Sequence, residues 1–108
     1  MTERRPTEDR RRHLRFPLGL PVMIHPEGPG ESHTVELVDI AMRGARFRTA
    51  GRVLPVDQRA SFGFVTAGQM TCVATGRVLR VAGGGEFVLA LERANPAFQS
   101  FVGSLTGG

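Results

Sequence analysis

The sequence predicts a mainly β fold: a small closed barrel of six short antiparallel strands followed by a short C-terminal helix. Three observations carry this. Apolar residues alternate with polar ones at a period of two from Leu18 onward; glycine and proline clusters cut that pattern into six short runs; and after Asn95-Pro96 the period changes to that of a helix.

The elements follow in order. Leu18, Leu20, Val22 and Ile24 share one face of a first strand, which stops at Pro26, Gly28, Pro29 and Gly30. Val35, Leu37 and Asp39 form the second alternating run. Gly44 opens a third, with Ala45 and Phe47 inward and Arg46 and Arg48 outward. The stretch 49–58, with Gly51, Pro55 and Asp57, reads as a connecting loop. A fourth strand is expected over 61–65 and a longer fifth over 71–81. Gly76 inside that fifth run marks a bulge or sharp coil where a sheet curls on itself. Gly83, Gly84 and Gly85 turn the chain into a sixth strand over 86–91. Asn95 is then an N-cap with Pro96 at the first helical position, and Phe98, Phe101, Val102 and Leu105 fall at i, i+3, i+4 and i+7. This helix is expected to plug one barrel end and to stop at Gly107 and Gly108.

With 108 residues the chain suits one domain, and 41% apolar with 22% charged residues is globular composition. A single cysteine excludes an intramolecular disulfide framework and a thiolate metal cluster. No apolar run is long enough to span a bilayer, and the opening MTERRPTEDRRRH has no apolar stretch of a signal peptide, so a cytoplasmic location is expected. All 14 basic residues are arginine, and the formal net charge is +4. Residues 1–15 hold six arginines against three acids, a net of +3, so the positive charge is concentrated in an N-terminal arm. Arginine's planar fork pairs bidentately with phosphate and with the O6/N7 edge of guanine.

Catalysis finds few parts to work with. His13, His25 and His33 lack the i, i+4 helical spacing of a metal pair, and no HExxH or GxSxG string occurs, so the chain reads as a non-enzyme without metal or cofactor. Cys72 shares parity with Ala74 and Val78 and reads as a small core residue. VAGGGEF links two strands, which makes it a turn and not a phosphate loop. Nucleic-acid binding through the arm is disfavoured because there is no Trp or Tyr and the seven phenylalanines fall mostly on apolar strand faces.

Two short segments stand out: RRHLR at 11–15 and DIAMRG at 39–44. An RxxxR element directly before the first barrel strand, followed by an Asp-containing turn with glycine five residues on, resembles the PilZ domain, the bacterial receptor module for cyclic di-GMP. Arg11, Arg12 and Arg15 fit its RRxxR element, Asp39 and Gly44 fit the first and last positions of (D/N)xSxxG, and ATGRVLRVAGGGEFVLALE resembles the late hairpin of that fold. The resemblance covers nearly the whole chain and implies an arm over 1–10 and a PilZ domain over 11–106. It departs at one position, where Ala41 stands in place of the family's serine.

The implied ligand, cyclic di-GMP, carries two phosphates and two guanines. Arg11 and Arg15 would supply cationic forks from a flexible arm, Asp39 an acceptor for the guanine N1 and N2 donors, and Gly44 close backbone approach. Arg12, and secondarily Arg10, would stack on a guanine face. The implied protein acts in trans on a separate target, as similar proteins do on motility, polysaccharide or adhesion machinery. The alternative is an adaptor that has lost the ligand and works by protein contacts alone.

Overall fold

The computed structural model describes residues 16–28 and 30–107; the predicted flexible arm, with Arg10, Arg11, Arg12 and Arg15, lies outside the described residues. Six strands follow in sequence: β1 (Phe16–Pro26), β2 (His33–Ile40), β3 (Gly44–Arg48), β4 (Arg59–Val65), β5 (Thr71–Ala82) and β6 (Glu86–Ala94). They close into an antiparallel barrel in the order β1-β2-β3-β6-β5-β4, and a single helix, α1 (Pro96–Gly107), follows.

Alternation builds the interior as expected. Val22 and Ile24 of β1, Val35 and Leu37 of β2, Ala45 and Phe47 of β3, and Cys72, Ala74 and Val78 of β5 are all buried. The phenylalanines form a connected chain through this core. Phe47 stacks on Phe87 at 5.2 Å between ring centroids and meets Phe62 edge-on at 4.9 Å, and Phe62 in turn meets Phe98 of the helix at 5.9 Å. All seven phenylalanines lie in the core or packed against it.

β1 contains prolines at 17 and 21, residues that cannot donate to a ladder. They are accommodated because β4 pairs only with Met23 to Pro26, leaving the first half of β1 bonded on one side. A register shift falls at Gly76, where Thr75 pairs with Arg93 and Gly76 with Leu91, so the expected irregularity is there but its extra residue is Glu92 of β6. Two strands run further than the alternation indicates. β4 begins at Arg59, with Ala60 already fully buried, and β6 continues past Leu91 to pair Arg93 and Ala94 with Thr75 and Ala74.

The connections sort to two poles. Segments 27–32, 49–58 and 83–85 lie at one end of the strands, while 41–43, 66–70 and the entry to α1 lie at the other. The helix closes that second pole with Phe98 and Val102 fully buried. Asn95 sets its start: its Oδ1 accepts from Phe98 N (2.9 Å) and Val73 N (3.2 Å), and its Nδ2 donates to Thr71 O (2.9 Å).

Candidate functional site

The second pole carries the 39–44 segment, and its register accounts for the barrel-surface position expected of Asp39. Continued alternation from Val35 and Leu37 would aim Asp39 into the barrel. The register shows otherwise: Leu37 pairs with Phe47 and Asp39 with Arg46, so two steps on β2 face one step on β3, and Val38 is the extra residue of a bulge. Leu37, Phe47, Ile40 and Ala45 are all fully buried, and Ile40 pairs with Ala45. Paired residues share a face, so Asp39 and Arg46 between them point outward. A matching irregularity on β1, between Pro17 and Leu20, keeps the neighbouring strand in step. It includes Gly19 at φ +62°, a left-handed conformation that glycine adopts without steric cost.

Although it faces outward, Asp39 is only 6% exposed. A carboxylate at that depth needs charge compensation. Arg46 provides it, donating from Nε (3.0 Å) and from a terminal nitrogen (2.7 Å) to the same oxygen, Oδ2. The hydrogen bond to Asp39, reinforced by its charge, holds the Arg46 guanidinium above the ordinary arginine range. The pairing continues along the outer face. Arg46 comes within 3.8 Å of Glu86, and Arg48 bridges Glu86 (2.9 Å) and Glu36 (3.4 Å). Arg48 is likewise raised, first by its hydrogen bond to Glu86 and then by the attraction of Glu36.

The turn itself is closed by backbone. Ala41 N donates to Gly44 O (2.8 Å), and Leu91 N donates to Arg43 O (3.0 Å), which ties the turn to β6. Its shape therefore does not require a side-chain hydroxyl at position 41, where the half-buried alanine sits. Met42 is 49% exposed at the tip, and Arg43 is exposed beside it. Gly44 is not among the glycines with positive φ; it faces outward opposite Ala90. Asp39, Ala41 and Gly44 thus converge on one pole, while Arg11, Arg12 and Arg15 lie outside the described residues.

Arg46 is the residue that sequence reasoning placed correctly, on the outer side of β3, but gave no role. Only the register across the β2 bulge reveals its partner.

Other features offer less chemistry. A cleft of about 920 Å³ opens at the opposite pole between Pro26, His33 and the 49–58 loop, and shares no residue with the 39–44 turn. Its charged and titratable lining residues are Glu31, His33 and Arg52. Cys72 is buried, and desolvation pushes its thiol up. Among the described residues there is no group of three or more His, Cys, Asp or Glu able to hold a metal ion, and no helix long and apolar enough to cross a membrane.

Comparison with known proteins places this geometry in context. The family model described as the PilZ domain matches residues 9–98, a span that includes both the 11–15 arginines and the 39–44 turn. Among solved structures, the chain is similar to the PilZ domain of CeSA from a cellulose-synthesising bacterium, with a TM-score of 0.66 at 22% identity over 88% of this chain and 96% of that one. At that identity the likeness is one of fold. No curated protein matches.

Proposed function

The chain belongs to the PilZ domain family, and on that premise we propose that it is a receptor for cyclic di-GMP which signals occupancy in trans to a separate protein. PilZ domains are generally cyclic di-GMP receptors, binding and adaptor modules rather than enzymes. The observation that carries the reading for this chain is the outward placement of Asp39. Pro17 pairs with Asp39 and Phe16 with Ile40, so the strand that directly follows Arg15 begins alongside the acceptor. Arg11 and Arg15 then act as forks for phosphate and guanine edges, Arg12 stacks on a base, and Asp39 accepts from the guanine N1 and N2 donors. Ordering the arm against the barrel changes the surface that a protein target meets. That target belongs to motility or polysaccharide machinery, and the setting is the cytoplasm.

Ala41 supports a second reading, a ligand-blind adaptor. The missing hydroxyl removes one hydrogen bond to a charged group, worth about 1.5–3 kcal/mol, or roughly ten- to a hundredfold in affinity. The turn closes through backbone bonds without it, so the fold survives whether or not the ligand binds.

Isothermal titration with cyclic di-GMP at physiological salt, beside GTP and cyclic GMP, decides between them. The receptor reading expects saturable binding selective for the cyclic dinucleotide and lost in Arg15→Ala. Absence of heat at high micromolar ligand, with binding restored in Ala41→Ser, would establish the adaptor instead.

A further inference from the structure

The outer face of β1, β4 and β5 departs from the rule that the solvated side of an antiparallel sheet is polar. Met23 of β1, Gly63 of β4 and Val73 of β5 form one outer row, while their neighbours Ile24, Phe62 and Cys72 point inward and are buried. Val65 pairs with Thr71 in the next row toward the second pole, and the row on the other side runs His25, Ser61, Thr75. None of these positions is Asp, Glu or Arg. Elsewhere the outer face is charged: Glu36, Arg48 and Glu86 share one row across β2, β3 and β6, and Arg59 pairs with Arg77 nearer the first pole. Met23, Val65 and Val73, with Met70 of the adjoining turn, are 40–59% exposed and make up half of the large apolar side chains exposed among the described residues. Gathered on one uncharged face, they form a patch of the kind that marks an interaction surface.

We propose that a second copy of this chain docks here, sheet face on sheet face. The central row dips in the middle: Gly63 carries no side chain between Met23 and Val73, and a β-carbon there would lie 3.5 Å from a Val73 methyl. Val65 stands two residues further along the same strand, roughly 7 Å away, and is 59% exposed. A two-fold axis crossing β4 at Phe64 exchanges these two positions, so the Val65 of each copy seats in the Gly63 dip of the other. Such reciprocity is what a two-fold interface between identical chains requires. Charge selects the same occupant. The chain carries a net +4, so two copies repel through their arginine-bearing faces, and this face lets them meet without desolvating an ion. An acidic partner would find its counter-charges on the other faces. The patch is about half of one side of a standard interface, which sets the dimer at the weak end, with a dissociation constant of roughly 10–500 µM. In the closed strand order β3 lies across the barrel from β4, so both 39–44 turns stay open in the dimer and face away from each other. A target that meets the pair meets two such turns at once and gains by avidity.

The test is sedimentation equilibrium of the full chain, without nucleotide, from about 10 to 500 µM. The weight-average mass is expected to rise from 11.7 kDa toward twice that value across the range. Added salt should leave association unchanged or strengthen it, because it screens the repulsion between two cationic chains and the interface holds no ion pair. Val65→Glu is expected to weaken association by about tenfold or more, since each copy then brings an unpaired charge into the other's dip. Leu79→Glu is the control, an apolar side chain of equal 59% exposure outside this face, and should stay within about twofold of the unaltered chain. Urea midpoints report whether each variant is folded, and Val65→Ser, with a loss of about threefold expected, replaces the glutamate if the charge unfolds the chain. A mass fixed at 11.7 kDa at the highest concentration would overturn the proposal and leave the face to a different partner. So would association that disappears in high salt, that survives undiminished in a folded Val65 variant, or that Leu79→Glu abolishes equally. None of these outcomes bears on the receptor reading, which the nucleotide titration tests by itself.

Discussion

Replacing Asn95 with alanine should be the most damaging single change to a polar side chain in this fold. Its amide makes three bonds at once: it caps α1 at Phe98 N, accepts from Val73 N and donates to Thr71 O. Loss of an N-cap costs about 1 kcal/mol. The two bonds to the start of β5 contribute about 0.5–1.5 kcal/mol each. The site is half-buried, so water recovers part of this, and the expected loss is about 2–3 kcal/mol of a stability near 5–15. Urea unfolding reads it as a midpoint lowered by about 1–2 M with an unchanged slope. Asn95→Asp separates the contributions: it keeps the cap and suits the helix N-terminus but removes the donor to Thr71, so it should lose only about 1 kcal/mol. A loss under about 0.5 kcal/mol in the alanine variant, or equal losses in both, would refute the claim that this side chain clips the helix to the sheet.

Three further outcomes are expected. Gly85 sits at φ +79° with the Thr49 carbonyl where a β-carbon would lie, so Gly85→Ala should cost more than about 2 kcal/mol in urea unfolding, against less than about 0.5 for Gly83→Ala, which has open space. Phe98→Ala removes a fully buried ring at the helix–barrel contact and should lower stability by about 3–5 kcal/mol; a value near 1 would mean that α1 packs loosely. Cys72 has its thiol pushed up by burial, so the folded protein should resist alkylation at neutral pH and react fully in denaturant. The same shift makes the unfolded chain ionise first, near the ordinary 9.0, so Cys72's contribution to stability holds below that pH and declines above it; a Cys72→Ala variant whose stability falls as steeply above pH 9 would contradict this assignment.

What the sequence makes legible depends on whether a residue carries its own signal. Phe47, Val78 and Val102 are apolar at the right spacing and are buried accordingly. Asn95-Pro96 announces a helix start through side-chain chemistry that needs no tertiary context. Gly76 announces an irregularity because glycine gains nothing by sitting in a flat strand, whereas the extra residue it sits beside, Glu92 of β6, carries no such signal. Strand ends are less visible, as at Arg59 and Arg93, where polar residues extend strands only because a neighbouring strand is there to pair with them. The β2 bulge is the least visible feature. Its extra residue, Val38, is β-branched and has every local preference for a regular strand, so only the competing demands of β1 and β3 reveal it.

That hidden bulge is what makes the candidate site possible. A strand's side chains alternate strictly, so one inserted residue reverses the face of everything after it. Without Val38 as an extra step, Asp39 would follow Leu37 into the barrel beside Phe47, where an ionised carboxylate costs several kcal/mol and meets only apolar neighbours. With it, Ile40 fills the interior position and Asp39 emerges beside Arg46 and opposite Pro17, where β1 begins. The regular pattern that builds the core and the irregularity that exposes the acceptor are therefore opposed demands on the same strand, and the fold satisfies both by spending one residue. Arg46 follows from the same step: an arginine on the outer face of β3 has a partner only because the register of β2 was shifted to meet it.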